Sequence, residues 1–182
     1  MTTRPKRPAL FTKPKLPKPP KCIRRLRKKI GDIIEVPTSK GLAYVQYTHE
    51  NIKMGSLVRV LQGFYKKRHS LEEIERIANG PHRFQAFCPV HYSVNIGDWE
   101  RVGNFPVPGF AQKFPTFKNM RYLFKRPKPE EANWTLWDGE TFWHVGKLSM
   151  EEQRKYPEEG IYNDTGLVEA IETGMSGDLK LC

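Results

Sequence analysis

The chain has 182 residues, enough for one domain of ordinary size with an appendage, and only 38% of them are apolar. Its formal net charge is +11, yet residues 1–29 alone hold twelve Lys or Arg and no Asp or Glu. The other residues carry 19 basic against 20 acidic side chains, which speaks against a compact nucleic-acid reader with a basic face on its folded body.

The N-terminal segment contains six prolines among its cations. Such a composition buries too little apolar surface to offset the entropy of ordering the backbone, so residues 1–29 are expected to form a disordered basic tail. Prolines 14, 17, 19 and 20 favour extended polyproline II geometry. The body then begins at Ile30. Residues 30–36 read as a strand, Pro37 to Gly41 as a turn, and 42–47 as a second strand with both faces at least half buried. Residues 55–65 form a third, with Leu57 and Val58 inside and Arg59 interrupting.

At Ser70 the period changes. Ser70 and Glu73 make a capping box, Leu71, Ile74 and Ile77 or Ala78 line one helical face, and Asn79-Gly80-Pro81 stops the helix. Residues 83–90 return to strand character, and 92–104 read as a further strand pair or a strand and turn. Prolines 106, 108 and 115 make 105–117 an ordered loop pinned by its aromatics. A polar joint at 125–133 precedes a hairpin, Trp134 to Trp137 and Thr141 to Val145 around Asp138-Gly139. A second capping box, Ser149 with Glu152, starts a short helix that ends before Pro157. The last helix is capped by Asn163 or Asp164, ends at Gly174, and docks through Leu167, Val168 and Ile171.

These elements predict an α+β fold: a strongly bent antiparallel sheet or small barrel with a few short helices, behind the tail. The domain is expected over 30–176, with 177–182 as a flexible C-terminus. Three cysteines, Cys22, Cys88 and Cys182, are odd in number and widely spaced, which favours a reducing compartment over a disulfide framework. No apolar run approaches the roughly 18 residues of a membrane span. No secretory signal is evident, so a cytoplasmic location without membrane association is expected.

Few residues suggest chemistry. Cys88 and His91 have a C-x-x-H spacing, but His82 is the only further ligand type nearby, and a structural zinc takes four. Cys88 with His91 or His82 as nucleophile and base lacks an orienting third group, so a buried cysteine beside a surface histidine is the expectation. The pairs Glu72-Glu73, Glu130-Glu131, Glu151-Glu152 and Glu158-Glu159 fall at helix starts or in loops, where acids are ordinary. No catalytic residue, metal or cofactor is expected. Trp99, Trp134, Trp137 and Trp143 read as core or partner contacts rather than base-stacking platforms, because acids surround the hairpin.

Four stretches carry a family likeness: 29–51, 55–65, 102–119 and 134–174. Their most telling parts are Gly31-Asp32, Lys40-Gly41-x-Ala43-Tyr44-x-Gln46-Tyr47, and Val102-Gly103-Asn104-x-Pro106-x-Pro108. In this order they resemble the immunity protein 26 family of bacterial polymorphic toxin systems. The resemblance implies a non-enzymatic α+β domain that binds and neutralises a cognate toxin protein, and it implies no catalytic residues. Residues 129–182 hold 4 basic and 12 acidic side chains, a pattern suited to a partner with a basic cleft. Glu130, Glu131, Asp138 and Glu140, flanking Trp134 and Trp137, are the expected partner edge. The alternative is a nucleic-acid-associated protein tethered to DNA or RNA by its tail, with Arg24, Arg25, Arg27, Lys28 and Lys29 as phosphate contacts.

Overall fold

The computed structural model describes residues 26–120 and 127–174. Three strands follow one another through tight connections: β1 (Asp32–Thr38), β2 (Gly41–Asn51) and β3 (Gly55–Leu61). Helix α1 (Leu71–Asn79) then carries the chain across to β4 (His82–Phe87), and helix α2 (Val90–Ile96) leads to β5 (Glu100–Asn104). All neighbours are antiparallel, in the order β4-β3-β2-β1-β5. A second, three-stranded sheet is ordered β6 (Phe117–Met120), β7 (Trp134–Trp137), β8 (Phe142–Gly146). Helices α3 (Met150–Lys155) and α4 (Asp164–Thr173) close the described chain. The fold is therefore α+β. The five-stranded sheet is open, with β4 and β5 as its two edges, so the barrel alternative does not form.

Each face of the large sheet is covered. On one, Ile34, Val45, Val58, Val60, Phe84 and Ala86 pack against Val90 and Val94 of α2 and Leu167, Ala170 and Ile171 of α4. On the other, Ile33, Tyr44 and Leu61 meet Ile74 and Ala78 of α1. The two sheets join where Leu57 and Phe87 contact Phe117 and Trp137. A connector ties the same sheets at their edges. The Lys118 N–H donates to Pro157 O (2.8 Å) and Glu159 N–H to Lys118 O (2.9 Å) on β6. Three residues later, Phe87 N–H donates to Gly160 O (3.1 Å) and Tyr162 N–H to Phe87 O (2.8 Å) on β4. Residues 157–162 thus cover the edge of β6 and one end of β4.

Both capping boxes form, Ser70 with Glu73 and Ser149 with Glu152. Four expectations change. Residues 90–96 form a helix, not a strand: Pro89 sits at its entry, and Gly97, at φ 89°, closes it by donating its N–H to Ser93 and Val94 carbonyls. Leu71 is exposed, so α1 packs through Ile74 and Ala78. The end of the Pro-rich loop is the strand β6, recruited by pairing with β7. The body also makes contacts earlier than Ile30. Leu26 N–H donates to Asn95 Oδ1 (3.1 Å), and Lys28 Nζ lies 2.8 Å from Glu50 Oε1. The expected disorder of residues 1–25 and of 177–182 lies outside the described residues.

Candidate partner-binding edge

The β7–β8 hairpin is built by local chemistry. Asp138 Oδ1 accepts the N–H groups of Glu140 (3.1 Å) and Thr141 (2.8 Å), and these bonds hold its carboxyl below the usual range. Gly139 has φ 101°, and a Cβ there would stand 2.8 Å from the Phe114 ring, so the turn admits only glycine. Register then pairs Trp137 with Phe142, Leu136 with Trp143 and Thr135 with His144.

This register divides the aromatics. Trp134 and Trp137 are each 1% exposed. Trp137 sits among Phe87, Phe114 and Phe117, and Trp134 packs with Met120 and Ala132 under Lys118. Neither presents a face to a partner, which corrects their expected role: β7 is the middle strand, covered on both sides. The hairpin's exposed aromatics lie on β8, which among the described residues has no strand on its far side. Phe142 is 43% exposed and stacks on Trp137 (5.5 Å, 13°), and Trp143 is 38% exposed. Trp143 was visible among the tryptophans of the sequence. Phe142 was missed, although an aromatic directly after a hairpin turn, on the return strand, was the available signal.

The four acids do not form one patch. Asp138 and Glu140 lie at the hairpin turn, whereas Glu130 and Glu131 precede the far end of β7, roughly 13 Å away along four extended residues. All four are exposed. Asp138 is committed to the turn, which leaves Glu140 as the acid free to meet a partner beside Phe142 and Trp143.

The tail cations divide as well. Arg24 and Arg25 lie outside the described residues. Arg27 is exposed, Lys28 pairs with Glu50, and Lys29 donates its backbone N–H to Asp32 Oδ2 (3.0 Å).

Cys88 and His91 belong to different environments. The Cys88 thiol is buried, faces Asn163 O at 3.8 Å, and is pushed up to about 12 by burial. His91 is buried rather than on the surface, and its Nε2 lies 3.1 Å from Asp32 Oδ2. An orienting carboxylate therefore exists, contrary to expectation, but it serves a histidine with no hydrogen bond to the thiol. Desolvation outweighs the Asp32 contact and lowers the His91 pKa. His82, the third candidate, stacks on Phe110 (6.3 Å, 15°). Among the described residues no group of three or more His, Cys, Asp or Glu could hold a metal ion. With Cys22→Ser and Cys182→Ser in place, we expect Cys88 to react with a thiol reagent no faster than the chain unfolds. Rapid labelling of the native protein would contradict this.

The motif residues Gly31, Asp32 and Gln46 serve the scaffold. Gly31, at φ 93°, would set a Cβ 2.3 Å from Phe105 O. Asp32 is fully buried and accepts from Lys29 N–H, His91 and Asn104 Nδ2 (3.0 Å), with Arg101 at 3.6 Å. Gln46 donates to Phe105 O (2.9 Å) and accepts from Arg59 Nε (2.7 Å). Together they lock β1 to β5 and to the loop that follows. Compared with known proteins, the chain matches no family model, no curated protein and no solved structure. Among the described residues no helix is long and apolar enough to cross a membrane.

Proposed function

We propose that this chain is a non-enzymatic binding protein of the immunity type, which binds and neutralises a cognate toxin protein. One observation carries the reading: among the described residues β8 is an edge strand paired on one side only, bearing the exposed Phe142 and Trp143 beside Glu140. A lone exposed aromatic is ordinary, but two on an open edge offer both anchor side chains and free backbone groups to another chain. The acid-rich C-terminal third adds steering toward a basic partner. The resemblance of the scaffold motifs to the immunity protein 26 family supplies the class of partner.

The test first looks for a toxin domain in the reading frames adjacent to this gene and uses such a domain as the partner; its absence there would count against the reading. Co-expression of the full chain is expected to rescue cells that make the toxin, and calorimetry should detect a complex. Trp143→Ala is expected to weaken it by about 2 kcal/mol, roughly thirtyfold, as for an interface anchor. Glu140→Lys should slow association at low salt, and neither change should move the unfolding midpoint by more than a degree or two. Full affinity in Trp143→Ala would remove β8 from the interface. Failure to rescue would remove the immunity role.

The second reading, a nucleic-acid tether, rests on the tail's twelve cations. Because residues 26–29 contact the body, the informative truncation removes 1–25. Loss of salt-sensitive DNA or RNA binding with partner binding intact would make the tail an accessory. Loss of both would favour the tether.

A further inference from the structure

The edge of β4 has been covered only in part. Phe87, near its end, directs both its N–H and its C=O outward to the connector, through Gly160 O and Tyr162 N–H. In an antiparallel pair, residues two apart point their backbone groups the same way. Gln85 therefore directs its N–H and C=O toward the same side, one rung further along. Among the described residues no partner meets them. The Gln85 side chain reaches the same side. It is only 7% exposed, lines a groove of about 1460 Å³, and makes no hydrogen bond with a described residue. Its cross-strand neighbours are fully engaged: Arg59 faces Gln85 across β3 and β4, and bonds to Gln46 and to the end of α1. An open backbone rung facing a groove can be extended by another strand, and the Gln85 carboxamide beside it meets no described residue.

The groove suits one kind of ligand. It runs along the β4 edge between α4 and the 110–116 loop, and Phe110, Met150 and Ile161 stand exposed along it. The described lining holds five Lys or Arg against two Glu. Lys113, Arg154 and Lys155 are exposed on its rim, and none is in an ion pair among the described residues. This charge balance opposes that of the acid-rich C-terminal third, which supplies more than half of the described lining. It also disfavours the chain's own basic N-terminal segment as occupant.

We infer that the β4 edge is a second docking site, which takes an extended acidic peptide of another protein by strand addition. The peptide adds a rung at Gln85 in line with the connector, alternate apolar side chains rest on Phe110, Met150 and Ile161, and its acids meet the rim cations. This site lies on the large sheet, away from the β8 edge, and it does not depend on the immunity reading.

The experiment pans a displayed library of random decapeptides against the full chain, then measures the enriched peptides by fluorescence anisotropy. Peptides alternating Asp or Glu with apolar residues are expected. The triple variant Lys113→Glu, Arg154→Glu, Lys155→Glu should weaken them at least tenfold while unfolding at the same temperature. Bound peptide should slow amide exchange at Gln85 at least tenfold, a readout that a purely structural change would not give. Enriched peptides that ignore the triple variant, or that are lost with Trp143→Ala instead, would overturn the proposal. So would a Gln85 amide already protected in the free chain that becomes exposed when residues 175–182 are removed, since that segment would then be the occupant. Protection that rises with protein concentration alone would assign the edge to a second copy and overturn it as well.

Discussion

Replacing Asp32 with alanine is expected to destabilise the fold by about 3–5 kcal/mol, the usual cost of removing one partner from a buried charged network. The carboxylate is fully buried at the start of β1 and holds together three separate pieces of chain. Lys29 N–H belongs to the entry segment, His91 to α2, and Asn104 and Arg101 to β5. Alanine leaves the His91 Nε2–H and the Lys29 N–H without their acceptor, and Asn104 Nδ2 with Ile30 O alone. Asp32→Asn should cost less, because one oxygen still accepts from Asn104. Urea unfolding followed by circular dichroism gives the difference, and a loss below about 1 kcal/mol for Asp32→Ala would contradict the account. The same site gives a pH signature. Burial lowers the His91 pKa below its ordinary value of 6.5. The unfolded chain therefore takes up a proton as pH falls through about 6.5 that folded His91 still refuses. The contribution of neutral His91 is complete above that pH and declines as pH falls toward the folded pKa. His91→Gln should flatten this part of the stability curve.

Arg59→Ala is the second large effect, again about 3–5 kcal/mol, from stranded acceptors and a lost buried stem. Arg59 is fully buried, and none of its hydrogen-bond partners is a carboxylate. Its guanidinium donates to Gln46 Oε1, Gly80 O and Ala78 O, so it closes the C-terminal end of α1, where the helix dipole favours a cation. Phe110 covers it at 5.5 Å. Burial pulls its pKa down to about 10, which still leaves it charged at pH 7. Alanine would strand two helix-end carbonyls and Gln46, and open a hole under Phe110. Arg59→Met keeps most of the stem and should recover part of the loss, whereas Arg59→Lys cannot serve three acceptors with the same planar fork. Equal stabilities for Ala and Met would show that the carbonyl contacts, rather than packing, dominate.

The two arguments expose the difference between what could be read locally and what could not. Ser70 with Glu73, and Ser149 with Glu152, announce helix starts because the capping bonds close within four residues. Asp138-Gly139 announces its turn for the same reason. Helix α2 was misread because Val90, Val94 and Ile96 are β-branched, although Pro89 before it and Gly97 after it are ordinary helix punctuation. Strand β6 is four residues long and gains its identity from β7 and the connector, neither of which is its neighbour in sequence. Arg59 looked like an interruption of a strand. Only the distant end of α1 makes it a buried cap.

By itself the sequence determined the antiparallel strand succession at the start, both capping boxes, the aromatic hairpin, and the separation of a basic N-terminal segment from a near-neutral body. These rest on contacts a few residues long and on counts of charge. Tertiary structure decided which side chains face solvent. Trp134 and Trp137 differ from Phe142 and Trp143 only in lying on a middle strand rather than an edge, and that depends on a partner strand, β6, placed 14 or more residues earlier. Gln85 likewise gains meaning from a connector more than seventy residues later, which covers Phe87 and leaves the next rung without a partner among the described residues. Burial is a sum over long-range neighbours, so the anchors and the open edges could be located only once the sheets were assembled.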